Sequence, residues 1–178
     1  MKRWFALLMA GMATGAFAQF GSYPRQEQGY YDEEADKPWV EAAVELPAFP
    51  FEENLLEFYV SASTNNKFFI DANSLAVGTD GAVRYALVVK SSGGATNVSF
   101  EGIHCKERRW KHYATGRSDG TWIKAPDSRA EWKPIENRPV NRHHAALSRD
   151  YFCPGGVAIR SADEGRQALR LGKHPNAN

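Results

Sequence analysis

The chain has 178 residues, of which 43% are hydrophobic and 24% charged, with a formal net charge of +1. That length suits one domain that buries its own core, which excludes dependence on a structural metal or on several disulfides. Only two cysteines are present and they form no Cys-x-x-Cys, which excludes the usual dithiol redox motif.

Residues 1–18 read as a secretory signal peptide. Lys2 and Arg3 make a positive start, Trp4 to Met12 an apolar run broken by Gly11, and Ala16-Phe17-Ala18 a small-x-small cleavage pattern before Gln19. The run is shorter than the roughly 20 residues a membrane span needs, and no later segment is long and apolar enough, so no transmembrane segment is expected in the mature chain. Removing the leader takes the formal charge from +1 to −1. The expected location is the periplasm, with secretion or the cell surface as the alternative, and nucleic acid is not an expected partner there. In such an oxidising compartment Cys105 and Cys153 are expected to form a structural disulfide, with two buried free thiols as the alternative.

Residues 19–38 are polar, with Gly, Pro and an acidic run, and read as a flexible acidic arm. Residues 39–178 read as a single α+β domain. Its first stretch, 39–57, holds Pro47 and Pro50 and reads as an extended segment on the domain surface with a helical turn near Leu55. From Phe58 short strands alternate with turn signals. Phe68-Phe69-Ile70 opens a segment running through Leu75 and Val77, and Asp80-Gly81 marks a hairpin. In the next run Val83, Tyr85, Leu87 and Val89 alternate against Arg84, Ala86 and Val88, the pattern of a half-buried strand. Gly93-Gly94 turns the chain into the strand that leads to Cys105, in which Val98, Phe100 and Gly102 alternate with Asn97, Ser99 and Glu101. RRWKHYAT then runs to a turn at Asp119-Gly120, with Thr121-Trp122-Ile123 as the return. This spacing predicts a single antiparallel meander.

The C-terminal part reads as helical. Asn141 can cap a helix over Arg142–Phe152 that stops at Cys153-Pro154-Gly155-Gly156. A second helix starts at Ser161, with Glu164 completing a capping box, and ends near Gly172; its narrow stripe of Ala168, Leu169 and Leu171 suits packing at an edge. The predicted architecture is α+β, one antiparallel sheet with C-terminal helices packed on it and one disulfide tying a central strand to the first helix.

The runs KPWVEAAVELPAFP, FYVSASTNNKFFIDANSLAVGTDGAVRYALVVKSSGGATNVSFEGIHC and NRHHAALSRDYFCP resemble the cryptic-neisserial-protein-like family of exported proteobacterial proteins, over Lys37 to Leu171. The resemblance implies a Gram-negative exported context, supports pairing Cys105 with Cys153, and brings no established activity. A weaker likeness of pattern, in FFIDANSL, VRYALVV, GIHC and KERRWK, is to surface-adhesin protein E domains.

Chemistry-bearing residues are sparse. His104 and His112 could share a face beside Cys105, but a disulfide consumes that thiol and zinc needs three or four converging ligands. His143 and His144 are adjacent on a predicted helix and point about 100° apart, so they read as separate histidines. No metal or cofactor is therefore expected. There is no Gly-x-Ser-x-Gly, His-Glu-x-x-His or phosphate-binding glycine loop, so no catalytic residue is nominated and no enzyme is expected. The aromatics Phe58, Tyr59, Phe68, Phe69, Tyr85 and Phe100 read as core.

Charge is the remaining signal. Residues 19–57 carry a net −8 and residues 58–178 a net +7. The basic excess centres on Arg108, Arg109 and Lys111 and continues through Arg142 and Arg149. One reading is ordinary solvated faces, partly neutralised by the acidic arm lying across them. The other is a basic sheet face, with Arg108, Arg109, Lys111 and Arg142 as candidate contacts and Trp110, Tyr113 and Trp122 nearby, that meets an anionic envelope polymer, lipid or protein. The function expected is that of a non-enzymatic envelope-associated protein. The alternatives are a secreted adhesin-like protein that binds host matrix and a hydrolase with an unrecognised site.

Overall fold

The computed structural model describes residues 38–139 and 142–177. The leader, the arm up to residue 37 and the Asn141 cap lie outside the described residues. Eight strands form one antiparallel sheet: β1 (Leu55–Phe58), β2 (Lys67–Asp71), β3 (Ala76–Val77), β4 (Val83–Lys90), β5 (Thr96–His104), β6 (Arg109–Gly116), β7 (Trp122–Lys124) and β8 (Lys133–Pro134). The order is a meander, β1-β2-β4-β5-β6-β7, with β3 also on β4 and β8 also on β6. Helix α1 (Arg142–Ala146) runs into a wider π-type coil over Leu147–Phe152, and α2 (Ala162–Arg170) follows after a short turn at Pro154–Gly156. The α+β meander with C-terminal helices read from the sequence is the fold observed.

Strands β2 and β3 use successive stretches of one edge of β4: Phe68 pairs with Val89, and Val77 with Val83. The gap between them would leave β4 short of a ladder partner. There the Ser74 hydroxyl accepts the Ala86 N–H at 2.8 Å, so the buried donor is satisfied. The helical turn expected near Leu55 is a 3₁₀ turn at Glu52–Asn54, and Leu55–Phe58 is instead the edge strand β1, with Phe58 opposite Phe68. Sequence periodicity missed it because four residues with a mixed burial pattern carry little alternation.

The core lies between the sheet and the helices. Phe58, Phe68, Ile70, Tyr85, Leu87 and Ile103 meet Leu147, Tyr151, Phe152 and Ile159 there. The helix read over Arg142–Phe152 is present but changes pitch. In the π-type coil the Cys153 N–H bonds the Ser148 carbonyl at 2.9 Å, five residues back, and Leu147, Tyr151 and Phe152 all turn inward. Ser161 caps α2 by accepting the Glu164 N–H at 3.2 Å, while the Glu164 carboxylate accepts the Arg160 N–H rather than that of Ser161. Leu169 is buried but Leu171 is exposed, so the stripe stops one residue short of the expected one. Gly165 lets α2 approach closely, since a Cβ there would fall 2.6 Å from Ile159 Cδ1 and 2.8 Å from Leu75 Cδ2. Cys105, just past β5, is bonded to Cys153, just past the π-type coil, with Cα atoms 5.5 Å apart.

Strand β4 is not half-buried as its alternation suggests, because Arg84, Ala86 and Val88 on its second face are buried too. The cover is the extended segment 38–51, helped by Trp132. Trp39 Nε1–H bonds the Asp80 carbonyl at 2.8 Å and its ring lies 4.4 Å from that of His104. Farther along, the Pro47 carbonyl accepts Trp122 Nε1–H at 2.9 Å. This strap is the surface-laid extended segment read from the two prolines. Tyr59 departs from the core reading of the aromatics, being 66% exposed just beyond β1.

Candidate functional site

The nominated basic residues fall on two sides of the sheet. Lys111 and Arg109 belong to the strap side. Lys111 Nζ bonds Glu41 Oε2 at 2.7 Å and lies 5.2 Å from the Tyr113 ring centroid. Tyr113 O–H donates to Glu41 Oε1 at 2.7 Å, and Arg84 lies 3.9 Å from the same oxygen. Burial opposes ionisation of Glu41, but the hydrogen bonds from Lys111 and Tyr113 outweigh it and hold the carboxyl below its ordinary range. Arg109 donates to the Trp132 carbonyl at 2.6 Å. Glu41 of the strap thus neutralises this face of the sheet at Lys111 and Arg84, while the acidic arm expected to do so lies outside the described residues. Of the aromatics expected beside it, Trp122 is engaged with Pro47 and Trp110 lies on the other face.

Arg108 and Arg142 are on the helical side, and the structure brings Arg149 between them. Three adjoining depressions share walls there. The first, of about 410 Å³, is bounded by Ser61, Ser63, Thr64, Asn66, Arg142 and His143 over Phe68. Arg142 also lines the second, with Asn137 and Arg149. Arg149 lines the third, with Ser148 and Arg108. Arg142 Nη1 donates to the hydroxyls of Ser61 and Ser63, which fixes the guanidinium at the mouth of the first. Arg108 holds a left-handed backbone, φ 52°, in the β5–β6 turn, a conformation glycine or asparagine adopts more readily.

His104 and His112 do not share a face, whereas His143 and His144 do come together. His104 pairs with Arg109 while His112 pairs with Glu101, so the two lie on opposite faces. Glu101 faces the helices, and His144 Nε2 sits 2.8 Å from its Oε2. Ser99 O–H donates to Glu101 Oε1 at 2.8 Å, and His112 Nδ1 lies 4.0 Å from that oxygen. His143 joins them: one ligand-type atom each from Glu101, His143 and His144 lie within 4.8 Å of one another. The 100° separation on a helix did not keep the pair apart, since their ring centroids are 4.0 Å from each other. Trp110 stacks on His144 at 3.8 Å and Phe68 on His143 at 5.6 Å. Burial works against a charge on Glu101, but His144 and His112 overcome it and push its pKa well below the carboxylate range. Burial, then the neighbouring His144, pushes His143 down to about 4. Burial and the Glu101 charge raise the Tyr85 phenol, whose O–H has no hydrogen-bond partner among the described residues.

The alternation of β5 puts Glu101 in step with Asn97 and Ser99, and, taken alone, does not say which face is buried. The deciding signal was there: Glu101, Ile103 and Cys105 share one parity, and a cysteine bonded to the helical layer must face it.

Fold and site together define a disulfide-bonded α+β protein with a strapped outer face and an arginine-lined groove over its helices. The chain belongs to the CNP1-like family, whose model matches residues 34–170. It is 29% identical over 143 residues to cryptic neisserial protein 1 of Neisseria gonorrhoeae, covering 71% of this chain and 69% of that one. No solved structure matches. Among the described residues no helix is long and apolar enough to cross a membrane.

Proposed function

We propose that this is an exported, non-enzymatic protein of the periplasmic envelope that holds an anionic envelope polymer or lipid in the groove over its helical layer. The observation that carries this reading is the run of Arg142, Arg149 and Arg108 along three adjoining depressions. Guanidinium groups match phosphate and carboxylate in shape as well as charge. Arg142 is preorganised by two serine hydroxyls, and Arg108 keeps its place at the far end despite a left-handed backbone. The export reading rests on residues 1–18 and agrees with an oxidised cysteine pair. Arg149 is held in a fork by Asp150, which offsets part of its charge, while Arg109 and Lys111 take a lesser part because they lie on the strap side, where Trp132 and Glu41 engage them.

The test is retention on anionic phospholipid vesicles and on isolated sacculi across a salt series. Replacing Arg108, Arg142 and Arg149 together by Ala is expected to abolish a retention that salt weakens in the parent protein. An Arg109→Ala, Lys111→Ala variant is expected to keep most of it. Retention unchanged in the triple variant would overturn the reading. Fractionation of the producing cell tests the location, for which a periplasmic pool is the expected result.

A further inference from the structure

The groove and the buried cluster meet at one residue, since His143 lines the first depression and also belongs to the group around Glu101. Glu101 is 5% exposed and lies inside the interface between sheet and helices. An ionised carboxylate in such a place requires compensation. Its partners are imidazoles and one hydroxyl, and no Lys or Arg forms an ion pair with it among the described residues. His144 is buried as well, and its Nδ1 has no hydrogen-bond partner among the described residues. Both neighbouring rings are braced from outside, by Trp110 and by Phe68, so their orientations are set before anything binds.

We infer that Glu101, His143 and His144 form a binding site for a divalent transition-metal ion of the zinc type, entered from the groove at His143. Two imidazole nitrogens and a carboxylate oxygen are a donor set that zinc and its neighbours favour over magnesium or calcium. Three protein ligands are the number found where zinc keeps a further position for water or another ligand. His112, whose ring hydrogen-bonds Thr115 and stands 4.0 Å from Glu101, supports the carboxylate from the strand side. The ion supplies the positive charge that the carboxylate lacks, and it takes the place of the Glu101–His144 hydrogen bond. This inference does not depend on the anion-binding reading, since none of the three ligands is among Arg108, Arg142 and Arg149.

The test is titration of the disulfide-bonded protein, stripped with a chelator, with Zn²⁺ by calorimetry and with Co²⁺ by visible absorption. One equivalent is expected to bind, and Co²⁺ is expected to give the bands of a low-coordinate nitrogen–oxygen site. His143→Ala sits at the cavity wall and is expected to fold as the parent does while weakening Zn²⁺ roughly 100-fold. Glu101→Gln and His144→Ala remove buried partners, so their folding is checked by circular dichroism. For the parent protein, the imidazole resonances of both His143 and His144 are expected to shift on adding Zn²⁺, which does not depend on any variant folding. Absence of binding, or binding that leaves those resonances and the His143→Ala affinity unchanged, would overturn the inference. The arginine triple variant is expected to bind Zn²⁺ normally, which separates this result from that of the vesicle test.

Discussion

Asp80, at the turn between β3 and β4, has a side chain only 2% exposed and serves several donors at once. Arg84 Nη1 and Nη2 reach its two oxygens at 3.0 and 2.6 Å, and the backbone N–H groups of Ala42 and Ala82 add bonds of 2.8 and 3.2 Å. Burial alone would raise its pKa. The Arg84 and backbone hydrogen bonds outweigh burial and hold it at about 2, against an ordinary 3.8. A carboxyl whose folded pKa lies below its unfolded value stabilises the fold fully above the unfolded pKa, and that share is lost as pH falls through the folded one. Urea unfolding is therefore expected to show a loss of about 2 kcal/mol between roughly pH 4 and pH 2 from this residue. Asp80→Asn should cost about 2–4 kcal/mol at pH 7, because it leaves Arg84 buried without its main partner, and should flatten that acid limb. An acid limb unchanged in the variant would show that another carboxylate governs it.

At the scale of elements, the packing of α2 depends on the absence of a side chain. Gly165→Val would force a branched group into the space held by Ile159 and Leu75, and is expected to cost about 1–3 kcal/mol in thermal or chemical unfolding. A neutral outcome would mean that α2 can shift outward without loss. The elements themselves were largely legible in the sequence. Asp80-Gly81, Gly93-Gly94 and Asp119-Gly120 marked turns because glycines 81, 94 and 120 take positive φ, and the strands between them carried plain alternation. What was not legible was anything set by a partner far along the chain. The two-residue strands β3 and β8 exist only as additions to β4 and β6, and no two-residue pattern announces them. The burial of Arg84 follows from Glu41 and Asp80, not from its own neighbours. The Glu101 cluster needed the register of β5 on β6 and the docking of α1, neither of which residue spacing supplies. The basic residues were legible as residues, but their division between two faces was not.

For the whole molecule, the disulfide joins the two layers where they carry the candidate site. Closing a loop of 48 residues stabilises the fold by about 4 kcal/mol in the chain-entropy account. Denaturant unfolding with and without a reductant is expected to differ by about that amount, and mass spectrometry of the oxidised protein should show a mass two hydrogens below the reduced form. A reduced protein as stable as the oxidised one would mean that the helical layer is held by its apolar contacts alone. Because Cys153 follows the coil that continues from His143 and His144, and Cys105 follows the strand that carries Glu101, opening the bond is also expected to loosen the cluster.

The strap has a consequence for the order in which the fold can close. Apart from β2–β4, which skips only the two-residue β3, the main pairings in the sheet join strands that neighbour each other in the chain, so hairpins can form as soon as their residues are available. Segment 38–51 is different, because Glu41 must wait for Lys111, 70 residues later, and Pro47 for Trp122, 75 residues later. During synthesis, or during any passage that delivers the chain from its N-terminus, the strap emerges long before the surface it covers. Until β5 and β7 follow, Trp39 lacks the His104 ring and Phe49 the Trp122 ring that they pack against, which gives a chaperone an interval in which to hold them.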